Sequence, residues 1–112
     1  MTVIKERETQ EMKFLNVTIK NLLISQKPSI SFALIKLSGK NKKCRNLTSN
    51  TYYYILGGDG SFIIDEKKYP VKKGDLVYVP KNSIYQDRGN LRMLSIAVPK
   101  FDAKKIRIVE EV

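Results

Sequence analysis

Short runs of β-branched and aromatic residues, separated by glycine, proline and aspartate, repeat along most of the chain. Residues 14–19 alternate apolar and polar side chains, and residues 30–37 and 91–98 are longer runs of the same kind. Such alternation is typical of a strand with one buried face. Shorter runs lie at 52–56, 62–64, 69–71, 76–79 and 84–86, and the segment 104–109 is one more strand or a loose end. Many short strands with frequent turn residues predict an all-β sandwich or barrel.

Local signals predict where the chain turns. The glycine-rich segment 57–60 predicts a hairpin between the runs 52–56 and 62–64. A second turn is predicted at 73–75, and Pro70 favours an edge position for its strand. The best helix candidate is the segment 6–13. The chain is therefore expected to be nearly all strand.

The length of 112 residues predicts one domain, spanning residues 1–112. No apolar run approaches the roughly 18 residues of a membrane-spanning helix. The N-terminus has no basic start followed by an apolar stretch, so no signal peptide is expected. The one cysteine, Cys44, has no partner for an internal disulfide and fits a reducing compartment. We expect a cytoplasmic protein without a membrane segment.

The charge balance indicates an anionic partner. The chain has 21 Lys and Arg against 11 Asp and Glu, a net charge of +10. The alternative is that the lysines only keep the protein in solution. Because the basic residues are spread out, and the dense cluster 40–45 is too short for a basic arm, we do not expect nucleic acid as the partner. A small anionic molecule is the partner that this pattern favours.

The sequence contains no histidine. Histidine is the commonest protein ligand of transition metals and the commonest general base near neutral pH. A Ser-His-Asp arrangement is therefore excluded, and Cys44 lacks a histidine base that would make it a nucleophile. Any functional site in this chain has to work without imidazole.

The spacing of residues 39–90 resembles the two motifs of the cupin superfamily. The first motif, Gly-x5-His-x-His-x3–4-Glu-x6-Gly, is matched in spacing by Gly39, Arg45, Leu47, Thr51 and Gly58. The second, Gly-x5-Pro-x-Gly-x2-His-x3-Asn, is matched by Gly74, Pro80, Asn82, Tyr85 and Gly89, with Asn90 one place late. The resemblance implies a cupin-type double-stranded β-helix, a jelly-roll-like barrel, with its core over residues 14–102.

The residues at the metal-ligand positions depart from the family. Where the cupins have two His, one Glu and a later His, this chain has Arg45, Leu47, Thr51 and Tyr85. A register shifted by one residue brings in Cys44 and Asn46 instead. Transition metals bind imidazole, thiolate and carboxylate groups, so neither register supplies a suitable set. We therefore expect no metal and no other cofactor in the barrel.

The resemblance also indicates which side chains face the interior. Arg45 would place a guanidinium in the barrel and bind a carboxylate or phosphate; the alternative is a solvated loop position. Tyr85 and, by alternation from Thr51, Tyr53 would point inward as hydrogen-bond donors or simply as core aromatics. Thr51 and Gln86 complete the predicted ligand-binding set.

The function expected on these grounds is a metal-free cupin barrel that binds a small, anionic molecule, with binding favoured over catalysis. Two alternatives stay open. One is a metal-independent cupin enzyme of the sugar or sugar-nucleotide isomerase or epimerase type, with tyrosine as acid or base. The other is a non-catalytic structural or regulatory module. A homodimer is expected because residues 14–24 are more apolar than an exposed edge should be.

Overall fold

The computed structural model describes residues 2–110, which form nine strands and two short 3₁₀ turns. The strands are β1 (Glu11–Phe14), β2 (Val17–Gln26), β3 (Ser29–Lys40), β4 (Cys44–Asn46), β5 (Asn50–Ile64), β6 (Lys67–Lys72), β7 (Leu76–Val79), β8 (Tyr85–Val98) and β9 (Ile106–Ile108). The 3₁₀ turns are Glu6–Glu8 and Ala103–Lys105. The all-β prediction is confirmed.

The strands join in one antiparallel sheet that curls into a barrel. Its order is β1-β2-β3-β8-β4-β9, and β5 pairs with β6, β7 and β8. The long strand β8 therefore lies between β3 and β5, with Ala97 opposite both Ser31 and Thr51. This arrangement brings the inward-facing side chains of three long strands to one interior.

The core follows from period-two alternation along the paired strands. Ile55 of β5 lies opposite Met93 of β8, and both side chains are fully buried. Leu37 of β3 lies opposite Leu91 of β8 in the same way. Phe62 adds a buried ring from the second half of β5. Each such side chain contributes about 1.5 to 3 kcal/mol by leaving water.

The predicted hairpin at 57–60 is wrong, because β5 runs through this segment as one strand. The pairing with β8 shifts register between Ile55 and Gly57 and then continues. A Cβ atom at Gly58 would overlap the backbone carbonyl oxygen of Asn90, and φ at Gly58 is +81°. The glycine therefore serves a close approach of two strands rather than a turn. Strand β8 likewise continues through Gly89, where the sequence pattern predicted a break.

The helix predicted over 6–13 is also wrong. Only Glu6–Glu8 forms a 3₁₀ turn, and β1 begins at Glu11 because it pairs with β2. The turn at 73–75 is confirmed, with Gly74 at a φ of +95°. Pro70 lies in β6, which within the described residues pairs with β5 alone and is an edge strand, as predicted.

Two expectations concern the chain as a whole. The predicted domain spans 1–112, so residues 1, 111 and 112 of it lie outside the described residues, and its extent stays a prediction. Over the part of the chain that the structure describes, no helix has both the length and the apolar character needed to cross a bilayer.

Candidate functional site

A cavity opens inside the barrel between β2, β3, β5 and β8. Its volume is about 60 Å³, which at roughly 10 to 15 Å³ per water holds only a few waters or a small ligand group. Apolar side chains form much of its wall: Phe14, Leu15, Val17, Ile19, Ala33, Ile35, Ala97, Phe101 and Ile106. Phe14 and Phe101 meet edge to face, with ring centroids 5.4 Å apart. Polar groups are gathered on the remaining wall.

Two tyrosine hydroxyl groups meet in this cavity. The Tyr53 hydroxyl donates to the Tyr85 hydroxyl over 3.2 Å. Alternation along β5 turns Tyr53 inward, and its ring packs against Phe62 with centroids 5.1 Å apart. Tyr85 begins β8 beside Cys44 of β4. The pair offers a neutral hydrogen-bonding edge within an otherwise largely apolar wall.

A buried carboxylate lies next to the tyrosines. Asp87 is 3% exposed and follows Tyr85 by two residues, so both line the cavity from the same face of β8. The Asn41 amide Nδ2 donates to Asp87 Oδ1 over 2.9 Å. The backbone amides of Asn16 and Lys42 donate to Asn41 Oδ1, which fixes the direction of the Asn41 NH₂ group. Asn41 therefore positions one oxygen of the Asp87 carboxylate.

The titration of these groups is governed by burial. Burial raises the pKa of Asp87, while hydrogen bonds from Asn41 and its own backbone lower it in part. Burial also raises the pKa of Tyr53 and that of Tyr85, and the nearby Asp87 raises both further. For Cys44, burial raises the pKa to about 11, against the lowering effect of its hydrogen bond with Tyr85. The phenols and the thiol therefore stay protonated near neutral pH.

The structure brings together three of the five residues predicted to bind a ligand. Thr51, Tyr53 and Tyr85 line the cavity. The inward orientation predicted for Arg45 is wrong: its neighbours in β4 are buried, and Arg45 lies on the opposite face, outside the cavity. Gln86 also lies outside the cavity, where its Nε2 donates to the Asn41 carbonyl over 2.8 Å.

Six polar lining residues were missed or left undecided by the sequence: Asn21, Ser31, Asn41, Asn46, Asp87 and Ser95. Asp87 could have been found by extending the alternation from Tyr85 by one step. Asn46 belonged to the shifted motif register, and the structure agrees with that register for β4. The Asn46 Oδ1 accepts from the backbone amides of Thr48 and Ser49, so its NH₂ is the part that can meet a ligand. Nothing in the sequence indicated Asn41 as a site residue, because it lies in a lysine-rich loop.

The donor set does not fit a cupin metal. Of the residues at the four ligand positions, Arg45 lies outside the cavity and Leu47 has no donor atom. Residues 2–110 contain no group of three or more His, Cys, Asp or Glu side chains that could hold a metal ion. Asp87 offers one carboxylate, whereas a transition metal needs several suitable ligands in a fixed geometry.

The curled antiparallel sheet and its interior cavity define a small cupin barrel with tyrosine, asparagine and aspartate at its polar wall. The fold of the chain is that of the cupin barrels. The chain is 31% identical over 94 residues to the uncharacterized protein MJ1618 of Methanocaldococcus jannaschii, over 80% of this chain and 75% of that protein. No protein-family model matches the chain.

Solved structures share the fold at low sequence identity. Streptomyces Pac13, described as a nucleoside dehydratase and solved with uridine, superposes with a TM-score of 0.89 at 19% identity, over 100% of this chain and 93% of that chain. A cupin-2 domain protein of Rhodospirillum rubrum, Rru_A2000, superposes with a TM-score of 0.80 at 18% identity, over 98% and 81% of the two chains. At these identities the likeness concerns the fold alone.

Proposed function

We propose that the barrel cavity binds a small polar organic molecule, or the polar end of a larger one, without a transition metal. The observation that carries this proposal is the part-buried Tyr53–Tyr85 hydroxyl pair, which faces an apolar-walled cavity beside Asp87. Mostly apolar walls with a few convergent polar groups are characteristic of small-molecule sites. The expectation of an anionic ligand rested on the net charge of +10 and on Arg45, and Arg45 is not among the residues that line this cavity. A cytoplasmic location stays a prediction.

Tyr85→Phe tests the proposal directly. The parent protein is screened by thermal shift against uridine, uracil, acetamide and small polyols. The affinity of each molecule that binds is then measured by calorimetry. Uridine is included because Pac13 has been solved with it. Loss of one neutral hydrogen bond, about 0.5 to 1.5 kcal/mol, is expected to weaken a hit about two- to tenfold. Tyr69→Phe is the matched control, because Tyr69 lies exposed on β6. Unchanged affinity in Tyr85→Phe, or no hit at all, would contradict the proposal.

A metal-independent enzyme is the second candidate, and Asp87 is the observation that favours it. A buried carboxyl with a raised pKa can act as general base, and the neutral Tyr85 phenol can act as general acid. This pairing would replace the histidine base that the chain lacks. The molecules that bind in the thermal-shift screen are incubated with the protein in deuterium oxide. Exchange of a ligand C–H that disappears in Asp87→Asn would identify catalysis, whereas no exchange and no product leaves the protein a binding module.

We also propose a homodimer, although for a different reason from the one that the sequence suggested. Phe14, Val17 and Ile19 of the apolar segment 14–24 line the cavity and are not available to a partner. The apolar surface lies on the outer side of the sheet, in two rows of paired residues. One row is Leu23, Phe32, Ile96, Tyr52 and Tyr78, and the other is Leu34, Leu94, Tyr54 and Leu76.

This outer apolar face suits a second copy of the same chain. None of these nine residues is charged, and Lys20, which lies opposite Leu34 at the end of the second row, pairs with Glu6. Two chains of net charge +10 can therefore meet there with little repulsion. Leu76 and Tyr54 are 64% and 44% exposed, and contiguous apolar patches of this kind mark interfaces. Light scattering at micromolar concentration is expected to give twice the 12.9 kDa of one chain. Leu76→Glu should give monomer and Lys104→Glu should not; a monomeric parent would refute the dimer.

A further inference from the structure

Among residues 2–110, the cavity is lined by a single carboxylate, and no cationic side chain pairs with it. Asp87 is nine-tenths or more buried, and its Oδ1 accepts from the uncharged Asn41 amide. No lysine or arginine is among the residues that line the cavity in the described chain, and the ion pair found within residues 2–110 joins Lys20 and Glu6 on the surface. A buried carboxylate without a counter-charge is costly, because the low-polarity surroundings disfavour the charged form.

The surrounding groups are arranged for a ligand that brings a positive charge. Asn41 donates to Asp87 Oδ1, and the Asp87 carboxylate lines the cavity, where an N–H group of a ligand can donate to it. The Tyr53 and Tyr85 hydroxyl oxygens can accept from further N–H groups, and the apolar wall suits a short carbon skeleton. A metal cation does not fit, because one carboxylate is too few ligands. An anion does not fit either, because Asp87 would repel it.

We propose that the cavity binds a small organic cation, held by a hydrogen bond from its protonated nitrogen to the Asp87 carboxylate. This inference rests on the proposed small-molecule function and names the chemical class of the ligand. The net charge of +10 makes the chain as a whole repel cations. A preference for a cation over a neutral molecule of the same shape must therefore come from the local carboxylate.

Acetamidinium and acetamide provide the test, since they have nearly the same shape and differ by one charge. Both have four heavy atoms and suit a cavity of about 60 Å³. They are titrated at pH 7 into nitrogen-labelled protein, and amide shifts of residues lining the cavity are followed by NMR. Charge-assisted hydrogen bonds are roughly twice as strong as neutral ones, and we expect acetamidinium to bind about tenfold more tightly than acetamide, a difference of about 1.4 kcal/mol.

Two variants assign the preference to Asp87. Asp87→Asn keeps the shape and removes the charge, so acetamidinium should lose its advantage over acetamide. Asp59→Asn is the matched control, because Asp59 is exposed on β5, and it should keep the advantage. Should Asp87→Asn fail to fold, the comparison of the two probes in the parent still decides the matter.

The outcomes separate this inference from the proposed function. If acetamide binds as well as acetamidinium in the parent, the cavity binds polar molecules but not as a cation site, and the inference is overturned alone. A preference for acetamidinium that persists in Asp87→Asn also overturns it, because the cation would then bind elsewhere. If neither probe nor any molecule of the wider screen binds, both the proposed function and this inference are contradicted.

Discussion

Gly58→Ala is expected to lower the free energy of unfolding by about 2 to 5 kcal/mol. The φ of +81° at this position costs an L-residue about 1 to 2 kcal/mol. The new methyl group would also overlap the Asn90 carbonyl oxygen, which belongs to the paired strand and cannot rotate away. Overpacking of this kind adds about 1 to 3 kcal/mol.

Gly57→Ala is the matched control for this change. A Cβ at Gly57 meets no atom within 4 Å, and its φ lies outside the range that favours glycine. Its stability should stay within about 1 kcal/mol of the parent, or rise slightly through the unfolded state. Urea unfolding of the three proteins measures both effects. Equal midpoints for Gly58→Ala and the parent would show that β5 and β8 do not approach as described.

Asp87→Asn is expected to stabilise the protein at pH 7 by about 1 to 3 kcal/mol, the usual size for relieving an uncompensated buried polar group. The variant keeps an oxygen that can accept from Asn41 and removes the buried charge. In the parent, burial raises the pKa of Asp87 above its ordinary value of about 3.9. The folded state therefore holds the proton to a higher pH than the unfolded state.

The raised pKa of Asp87 determines how the stability difference between the parent and Asp87→Asn changes with pH. The contribution of Asp87 to stability is fully present below about pH 4 and is lost as the pH rises through its folded pKa. The advantage of Asp87→Asn should therefore be near zero at pH 4, grow with pH and then level off. Asp59→Asn, at an exposed site, should change stability by less than about 0.5 kcal/mol throughout. An advantage that is constant with pH would mean that Asp87 does not titrate as described.

The sequence predicted the fold class well, because alternation and motif spacing record which face of each strand is buried. The segment 57–60 was predicted as a turn because glycine occurs both where φ is positive and where two backbones approach closely. The amino-acid sequence alone does not distinguish these two reasons. The helix proposed for 6–13 failed because Glu11–Phe14 finds a partner in β2, and such pairing overrides weak local propensity.

The alternation of inward and outward side chains along the strands predicted part of the candidate site. Thr51, Tyr53 and Tyr85 follow from it, and Asp87 needed only one more step along β8. Arg45 was misplaced because a register error of one residue moves a side chain to the opposite face. Asn41 could not have been found, since its role depends on Asn16 and Asp87, which only the folded chain brings to it.

The position of β8 between β3 and β5 has a consequence for synthesis of the chain. Asn50 pairs with Val98 and Ile64 with Tyr85. The pairing of β5 with β8 therefore cannot form until β8 has been synthesised. Until then β3 and β5 each present a long row of unpaired backbone groups, the condition in which strands join wrongly with other chains. A product truncated before residue 85 would therefore lack the strand that closes the barrel and would leave these two edges unpaired.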